Sequence, residues 1–494
     1  MDPVLIVIIV LGIIIVAIIA LVAVVLIRTL TFKPPTFSGE SIPDWQPEEM
    51  PDAVVARLQA AIQIPTVSAE ASSAVGSKVF REFLTFLKES YPLFHQQTSL
   101  EVINNFSLIY RWKGSGEGLL PSAFLAHYDV VPIETGTEGD WQYPPFSGAL
   151  VDETVWGRGT LDIKSQLTAY LEAAELLMAQ GFKPARDLYF CFGHDEEICG
   201  RDGAALIVEH LASLGIRFES VLDEGGLVIT GAMKGVRPPL ALIGIAEKGS
   251  ADYRISVPGA GGHSSMPPQH TALGLAARLI TLIEENPLPP RLTPSVELLL
   301  RNIAGELGFM IRMALANLWL FRPLILSILA KNPVTNAMIR STFAVTMAQA
   351  SDAPNVLPQT ANITVNVRLL PGDTIKGVGQ HFEKLAVAAG LESARIELPI
   401  DNEASEASLT DAPFLKLMER LIGEFYPSAI STPYLVMGAT DSRYYTKLSS
   451  QVYRLTPIHV SDAERELVHN TNERIDLPNY FRMIQFFQRL FQEL

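Results

Sequence analysis

The amino-acid sequence predicts an α/β fold: a main domain built on a mostly parallel sheet, an inserted ferredoxin-like α+β domain, and an N-terminal transmembrane helix. Three observations support this prediction. Short strand-like runs alternate with helical segments across residues 53–248, a strand-helix-strand-strand-helix-strand order follows across residues 249–402, and a charge-free apolar run precedes both. The alternation resumes across residues 403–494, so the main domain is predicted to be discontinuous.

Composition excludes several classes of protein. Of 494 residues, 48% are hydrophobic and 18% are charged, which excludes an intrinsically disordered chain. The net charge of −15 would repel a phosphate backbone, so we expect no nucleic-acid partner. The two cysteines, Cys191 and Cys199, are too few for a disulfide framework or a four-cysteine zinc site.

The first element is an apolar run of 24 residues, Val4 to Ile27, without a charge. At about 1.5 Å per residue, such a helix spans the roughly 30 Å core of a bilayer and exceeds the apolar region of a cleaved signal peptide. We therefore expect a single-pass anchor at residues 4–27, with a buried core helix as the alternative. A proline-rich linker follows at residues 28–52. We place the body outside the cytoplasm or in a lumen, although Arg28 and Lys33 favour a cytoplasmic body, and the side stays open.

The elements of the main domain follow from hydrophobic periodicity. Helices show apolar residues at a spacing of three and four, and buried strands show short continuous apolar runs. The predicted helices cover residues 53–62, 167–180, 204–214 and 414–424, and the predicted strands cover residues 123–126, 188–192 and 220–222. Strands that alternate with helices pair in parallel, which predicts a mostly parallel sheet.

The inserted domain is predicted at residues 249–402. Its strands cover residues 251–257, 341–348, 361–369 and 394–398, and its helices cover residues 271–284 and 374–389. This order is that of a ferredoxin-like fold. We expect the domain to act as a lid. Its outer strand is available to pair two subunits into a homodimer, and the alternative is that the apolar insertion covers that edge.

An apolar helical insertion interrupts this domain at about residues 295–335. Its centre, residues 307–329, contains Arg312 and the pair Arg322-Pro323, so we predict a helical hairpin rather than a second transmembrane span. Four roles stay open for the hairpin: packing within the domain, a dimer contact, a membrane-surface contact, and the wall of a tunnel for a long acyl chain.

Acidic residues and histidines follow the predicted strands of the main domain. Each alone is explained equally well by a helix cap or a surface polar pair. The carboxyl ends of parallel strands share one edge of a sheet, however, so together they predict a cluster. Imidazole and carboxylate suit Zn²⁺, and two bridged ions need about five protein ligands. The residues are His127, Asp129, Asp162, Asp195, Glu196, Glu197, Asp223, Glu224 and His469.

The order of eight motifs resembles that of one known family. In chain order the motifs are HYDVVP, GRGTLDIKS, DEEICG, LDEGG, GGHSSMPP, NVLPQTANITVNVRLLPG, GATDSRYY and VHNTNERI. They resemble the dinuclear-zinc carboxypeptidase/aminoacylase family, and most of all its branch of carboxypeptidase S and the N-fatty-acyl-amino-acid synthase/hydrolases. The resemblance covers residues 50–494. It implies a main domain of the zinc-exopeptidase type that holds two Zn²⁺ per subunit, although Mn²⁺ and Co²⁺ fit the same donors.

The resemblance also implies roles for single residues around the metal ions. Asp162 would bridge the two ions, and Asp223 is preferred to Glu224 as a ligand. Asp129 would orient His127, and Glu196 would be the general base. The implied ligands are His127, Asp162 and Asp223 for one ion, and Asp162, Glu197 and His469 for the other.

Further residues are implied to bind the substrate. His263 resembles the family's histidine that stabilises the oxyanion, commonly from the partner subunit. Asn355 and Arg368 resemble the residues that hold the substrate's free carboxylate, although Arg368 also fits a surface position at a strand end. Gly438 and Thr440 belong to a loop whose backbone amides would complete that pocket.

These features predict a membrane-anchored, zinc-dependent amidohydrolase. It would cleave, and by microscopic reversibility form, the amide between an acyl group and an amino acid with a free carboxylate. Long-chain acyl substrates are preferred because the anchor and the apolar insertion both indicate lipid. The enzymatic alternative is a carboxypeptidase or dipeptidase, and the non-enzymatic alternative is a catalytically silent binding or scaffold protein.

Overall fold

The structure is a computed structural model that describes residues 3–33, 50–68 and 74–494. Its strands, in chain order, are β1 (Thr98–Ile103), β2 (Ser107–Trp112), β3 (Ser122–His127), β4 (Ala149–Val151), β5 (Thr154–Trp156), β6 (Leu188–Gly193), β7 (Ser220–Asp223), β8 (Val228–Thr230), β9 (Leu240–Glu247), β10 (Gly249–Pro258), β11 (Gly262–His263), β12 (Thr342–Gln349), β13 (Val356–Leu357), β14 (Thr360–Leu369), β15 (Arg395–Asn402), β16 (Ile430–Val436), β17 (Val452–Arg454), β18 (His459–Ser461) and β19 (Arg474–Asp476).

The helices, in chain order, are α1 (Pro3–Thr31), α2 (Asp52–Gln63), α3 (Ala74–Ser90), α4 (Pro92–Gln97), α5 (Lys164–Ala179), α6 (Ala204–Ser213), α7 (Ala272–Glu285), α8 (Pro294–Ile303), α9 (Phe309–Ala316), α10 (Leu318–Leu329), α11 (Pro333–Ile339), α12 (Ile375–Ala388), α13 (Pro413–Phe425), α14 (Ser442–Tyr445), α15 (Asp462–Arg465) and α16 (Leu477–Gln492). Single turns of 3₁₀ helix lie at Glu138–Asp140 and Glu196–Ile198.

A ten-stranded sheet forms the centre of the molecule. Its order is β1-β2-β6-β3-β7-β17-β9-β8-β18, and β16 pairs with β9. The four neighbours β6, β3, β7 and β17 are parallel, whereas β1, β2 and β6 pair antiparallel, as do β17 with β9 and β9 with β8. Strand β16 pairs parallel with β9, and β18 pairs parallel with β8. The sheet is therefore mixed, with five parallel and four antiparallel pairs of neighbouring strands, where the sequence predicts a mostly parallel sheet. The antiparallel β1-β2 pair follows from a short turn, since parallel neighbours need a long crossover.

Alternate side chains of the central strands build a core on each face of this sheet. Phe124 and Ala126 of β3 pack with α5 and α16, while Ala123 and Leu125 pack on the other face with α6. The ring of Tyr170 on α5 lies 4.3 Å from that of Phe487 on α16, measured between centroids. This packing holds α5 and the turn before it in one position against the sheet.

A separate four-stranded sheet has the order β12-β14-β10-β15 and a core of its own with α7 and α12. Its elements follow the order that the sequence predicts for residues 249–402. Buried and half-buried residues alternate along β14, as expected of a strand with one face on helices. The division of the chain into domains, and the role of this unit as a lid, stay predictions.

The insertion between α7 and β12 consists of α8, α9, α10 and α11. Where the sequence predicts a helical hairpin, α9 and α10 meet at Asn317, and Pro323 lies inside α10. We call this pair of helices the hairpin. Asn317 is fully buried, and its side-chain amide donates to the carbonyl of Met313, 2.9 Å away, at the end of α9. A buried polar cap thus sets the turn, while the exposed Pro323 is accommodated within a helix.

Within the described residues, α1 is the one helix long and apolar enough to cross a membrane, a property that signal sequences share. Most of its apolar side chains are exposed, and Val25 and Thr29 are its buried residues. Most of the predicted linker at 28–52, residues 34–49, lies outside the described part of the chain.

Candidate active site

Three neighbouring parallel strands, β6, β3 and β7, carry the predicted cluster at their carboxyl ends. His127 is the last residue of β3, Glu196 and Glu197 follow β6, and Glu224 follows β7. Asp162 lies in the turn that precedes α5. The edge of the sheet at which parallel strands end is therefore where the acidic and imidazole groups meet, as ligand sites of α/β sheets do.

The carboxylate of Asp162 lies between two histidines. Its Oδ1 is 3.0 Å from Nε2 of His127, and its Oδ2 is 2.8 Å from Nε2 of His469. Nε2 of His469 is also 3.2 Å from Oε2 of Glu197. One carboxylate thus faces both histidines with separate oxygens, which is the arrangement needed to bridge two cations.

Asp129 fixes the opposite side of His127. Its Oδ1 lies 3.3 Å from Nδ1 of His127, and its two oxygens accept the backbone amides of Glu196 and Glu197, each at 3.1 Å. Asp129 is fully buried. A single carboxylate therefore orients the imidazole and also holds the turn that carries two further acids, so that Nε2 of His127 points into the cluster.

The structure places Glu224, not Asp223, beside His127. Oε1 of Glu224 is 3.1 Å from Nε2 of His127. The oxygens of Asp223 instead accept the backbone amides of Glu224 at 2.9 Å and Ser442 at 2.8 Å. Successive side chains at a strand end point to opposite sides, and here the second of the two reaches the cluster. Glu224 accordingly replaces Asp223 in the ligand set that we propose below.

Burial and charge shift the pKa values of this cluster in opposite directions. Burial opposes ionisation of Asp162, but its contacts with His127 and His469 outweigh burial and lower its pKa. Burial and the neighbouring Asp162 raise the pKa of Glu224 to about 8, and burial raises the pKa of Glu196 well above its usual value. Contacts with Asp162 and Glu197 raise the pKa of His469 to about 10. The carboxylates of this cluster, Asp162, Glu196, Glu197 and Glu224, thus repel one another when ionised, and a nearby positive charge would offset this repulsion.

The donor set fits two divalent cations. His127, Asp162 and Glu197 place ligand atoms within 4.8 Å of one another, and so do His127, Glu196 and Glu224. No group in the described part of the chain hydrogen-bonds to the buried Oε1 of Glu197. A buried carboxylate oxygen without a donor is costly, and a cation would stabilise it. Imidazole with carboxylate is a donor set typical of zinc.

Glu473 supports the site, and our sequence analysis did not assign it a role. Its Oε1 accepts the backbone amides of Gly159, Leu161 and Asp162 at 3.0, 2.7 and 3.2 Å, and its Oε2 accepts Nη1 of Arg158 at 2.6 Å. Glu473 is fully buried. Its position four residues after His469, within the motif VHNTNERI, was the available hint. This residue ties the loop of His469 to the turn of Asp162.

An apolar cavity of about 450 Å³ adjoins the cluster. Asp162, Glu196, Glu197, Glu224 and His469 form one part of its wall, whereas most of the rest is apolar. The helical insertion contributes Leu299, Val334 and Met338. The remaining apolar lining is Leu161, Leu227, Ile229, Ala232, Met233, Leu240, Leu242, Val436, Met437, Ala439 and Val468. Its volume is in the range of small-molecule sites.

The predicted substrate-binding residues fall into two groups. Gly438 and Thr440 line the cavity, and Oγ1 of Thr440 donates to Glu247 at 3.0 Å. His263, Asn355 and Arg368 lie on the unit of the four-stranded sheet and do not line it. His263 and Asn355 are exposed on adjacent backbone segments, and the half-buried Arg368 pairs with Thr342 in the sheet. The structure therefore does not bring these three residues to the acidic cluster.

Comparisons with known proteins identify the family and several relatives of this chain. The model of peptidase family M20/M25/M40 matches residues 123–493. "Probable carboxypeptidase S-like 2" of Dictyostelium discoideum is 36% identical over 83% of this chain and 79% of its own length. "N-fatty-acyl-amino acid synthase/hydrolase PM20D1" of Homo sapiens is 34% identical over 91% of this chain and 89% of its own.

A solved structure shares the fold. The M20 family metallo-carboxypeptidase Sso-CP2 from Sulfolobus solfataricus superposes with a TM-score of 0.67 at 16% identity, covering 90% of this chain and 100% of that one. The resemblance inferred from the motifs is thereby confirmed, and so is a hydrolase that acts on amide bonds. This chain belongs to peptidase family M20/M25/M40.

Proposed function

We propose that this chain is a membrane-anchored, zinc-dependent amidohydrolase that cleaves the amide between a long-chain acyl group and an amino acid with a free carboxylate. The observation that carries the proposal is the apolar cavity of about 450 Å³ that begins at the acidic cluster. A peptide presents a polar backbone on both sides of its amide, whereas an acyl chain needs an apolar wall. The similarity to N-fatty-acyl-amino acid synthase/hydrolases supports the same substrate class.

The proposed ligands follow the distances within the cluster. Asp162 would hold both ions, His127 and Glu224 would complete one site, and Glu197 and His469 the other. When bound, two zinc ions supply Lewis acidity that polarises an amide carbonyl and acidifies water. Manganese and cobalt fit the same donors.

Glu196 is the proposed general base. It lies within the group of His127 and Glu224, and burial raises its pKa, which suits a carboxylate that first accepts a proton and then releases it. Water's oxygen forms the new bond to the carbonyl carbon, and Glu196 takes the proton. The C–N bond then breaks, and Glu196 delivers that proton to the leaving nitrogen, giving a fatty acid and a free amino acid.

We retain His263, Asn355 and Arg368 as proposed substrate contacts that act from the four-stranded unit. His263 is exposed, and its Nδ1 lies 2.7 Å from the hydroxyl of Ser265, which leaves Nε2 for a contact elsewhere. An exposed imidazole of this kind is suited to reach the site of a second subunit. A homodimer is therefore part of the proposal.

The test is release of free phenylalanine from N-oleoyl-phenylalanine and from Gly-Phe by the zinc-loaded full-length chain. We expect hydrolysis of the oleoyl substrate and its loss, by about a hundredfold or more, in Glu196→Gln. The matched control is Glu209→Gln, since Glu209 is exposed on α6. Preference for Gly-Phe would favour a carboxypeptidase instead, and inactivity on both substrates with metal bound would overturn the proposed substrate class.

A further inference from the structure

The helical insertion exposes large apolar side chains on two consecutive helices, α9 and α10. On α10, Leu320, Leu324 and Ile328 recur every fourth residue and are 38, 52 and 53% exposed, with Trp319 beside them. At the start of α9, Phe309, Met310 and Ile311 are exposed as well. We call these seven side chains the exposed hairpin face. A patch of this kind on a folded protein marks an interaction site.

The hairpin that carries this face is hydrogen-bonded to the C-terminal end of α1. The amide of Asn317 donates to the carbonyl of Val25 and to Oγ1 of Thr29, both at 3.2 Å, and Nη2 of Arg312 donates to the carbonyl of Phe32 at 2.9 Å. Val25 and Thr29 are buried by this contact. The position of the hairpin along α1 is thereby fixed at its last two turns.

That position sets the depth of the hairpin if α1 crosses a bilayer. The hydrocarbon core of about 30 Å takes up about 20 helical residues, so the residues from Val25 onwards reach the level of the lipid headgroups. Arg312 and Asn317, which adjoin in sequence the two parts of the exposed hairpin face, contact the residues at this end of α1. Trp319 within that face suits this depth, because tryptophan concentrates at the membrane-water interface.

The cavity reaches the same region of the molecule. Val334, which lines the cavity, is 64% exposed and therefore lies at its rim. It sits on α11, directly after α10, with Lys331 exposed between the two helices. The rim of the cavity and the exposed hairpin face are thus contributed by consecutive helices of the insertion.

We propose that the exposed hairpin face lies in the lipid surface beside the end of α1, and that an acyl-chain substrate enters the cavity from that surface past Val334. The occupant of the face is the bilayer that holds α1, because the contacts of Asn317 and Arg312 place the face at the end of α1. The entry route rests on the proposed substrate class, whereas contact with lipid rests on the proposed membrane anchor alone.

Trp319 allows contact with lipid to be measured directly. The full-length chain is reconstituted into nanodiscs of phosphatidylcholine with and without brominated acyl chains, which quench tryptophan fluorescence on contact. We expect brominated lipid to quench the wild type and to lose most of this effect in Trp319→Phe. The matched control, Trp156→Phe, should keep the quenching, since Trp156 is half-buried on β5 and lies against Arg474.

The results that would overturn contact with lipid are equally specific. Equal quenching in the wild type and in Trp319→Phe would place Trp319 away from lipid. Absence of quenching, together with cross-links between the hairpins of two chains, would show that a second copy covers the face instead.

Kinetics test the entry route. We expect Leu324→Gln combined with Ile328→Gln to raise KM for N-oleoyl-phenylalanine in vesicles by about tenfold or more, with kcat unchanged. Hydrolysis of the water-soluble N-acetyl-phenylalanine should stay at the wild-type level. The control is Leu214→Gln, another exposed leucine, on the main domain.

An equal effect on both substrates, or on neither, would overturn the entry route. If the proposed substrate class is wrong, the results differ: brominated lipid would still quench the fluorescence of Trp319, but the oleoyl substrate would not be cleaved. The two proposals can therefore fail separately.

Discussion

Two neighbouring carboxylates at the end of β7 have different tasks in the structure. Asp223 accepts two backbone amides, while Glu224 faces His127. The motif LDEGG predicts acids at this edge of the sheet, but the sequence does not show which of two successive side chains faces the cluster. That choice depends on the register and twist of the strand, which tertiary pairing sets.

Metal content distinguishes the two carboxylates. We expect Glu224→Gln to lose one of the two proposed zinc ions, because it removes a charged group from the proposed ligand set. Asp223→Asn should keep both ions while it lowers the melting temperature, since its acceptor for the amide of Ser442 is weakened. Elemental analysis of the purified variants measures the ratio of zinc to protein. Loss of zinc in Asp223→Asn alone would restore Asp223 as the ligand.

Glu473 holds the turn that carries Asp162. Three backbone amides and Arg158 all donate to it, and Arg158 is itself 3% exposed. Sequence periodicity cannot reveal such a residue, because its partners lie more than 300 positions away in the chain. The folded structure is needed to show that the Glu473 carboxylate accepts hydrogen bonds from four donors that water would otherwise satisfy.

Removing this carboxylate should destabilise the protein strongly. We expect Glu473→Ala to cost about 3 kcal/mol or more of unfolding free energy, because it leaves three amides without an acceptor and a buried guanidinium without its carboxylate partner. Zinc affinity should fall as well. Denaturant unfolding and zinc titration measure both effects. Glu464→Ala, at an exposed capping box, is the control and should cost about 1 kcal/mol. Similar losses in the two variants would refute the role of Glu473.

At the scale of elements, hydrophobic periodicity predicts where helices and strands occur but not which strands pair or in which direction. The predicted strand at 361–369 corresponds to β14, and the predicted helix at 204–214 to α6. The mixed direction of the large sheet was missed, since β8, β17 and β18 have three residues each and carry no period. The turn at Asn317 was missed for a related reason, because its cap depends on burial against α1.

The joint between α1 and α9 can be tested with two matched threonines. Oγ1 of Thr29 accepts the amide of Asn317 and is buried, whereas Thr31 is exposed and its hydroxyl donates to the carbonyl of Ile27 in its own helix. We expect Thr29→Val to weaken the joint by about 1 kcal/mol and to speed amide hydrogen exchange at residues 309–329. Thr31→Val should leave exchange unchanged. Equal exchange in both variants would show that the hydroxyl of Thr29 does not hold the hairpin.

At the scale of the whole molecule, the exposed position of His263 predicts a shared active site. Mixed subunits of Glu196→Gln and His263→Ala should recover activity that neither variant has alone, because one site in each mixed dimer would have an intact base and a partner's His263. Activity of the co-expressed variants, measured with the acyl substrate, checks this. Failure to recover activity in dimers shown to be mixed would place His263 in the site of its own chain.

Under the proposal that α1 crosses a bilayer, the contact between Asn317 and Val25 also sets the distance of the body from the membrane. A body tied by its linker alone would move outwards as that linker grew. Here the contacts of Asn317 and Arg312 with α1 fix the position of the body, so residues inserted between 34 and 49 would leave its distance from the membrane unchanged. Proteolytic cleavage within residues 34–49 would not release the enzyme either, because release would also require α9 to dissociate from α1.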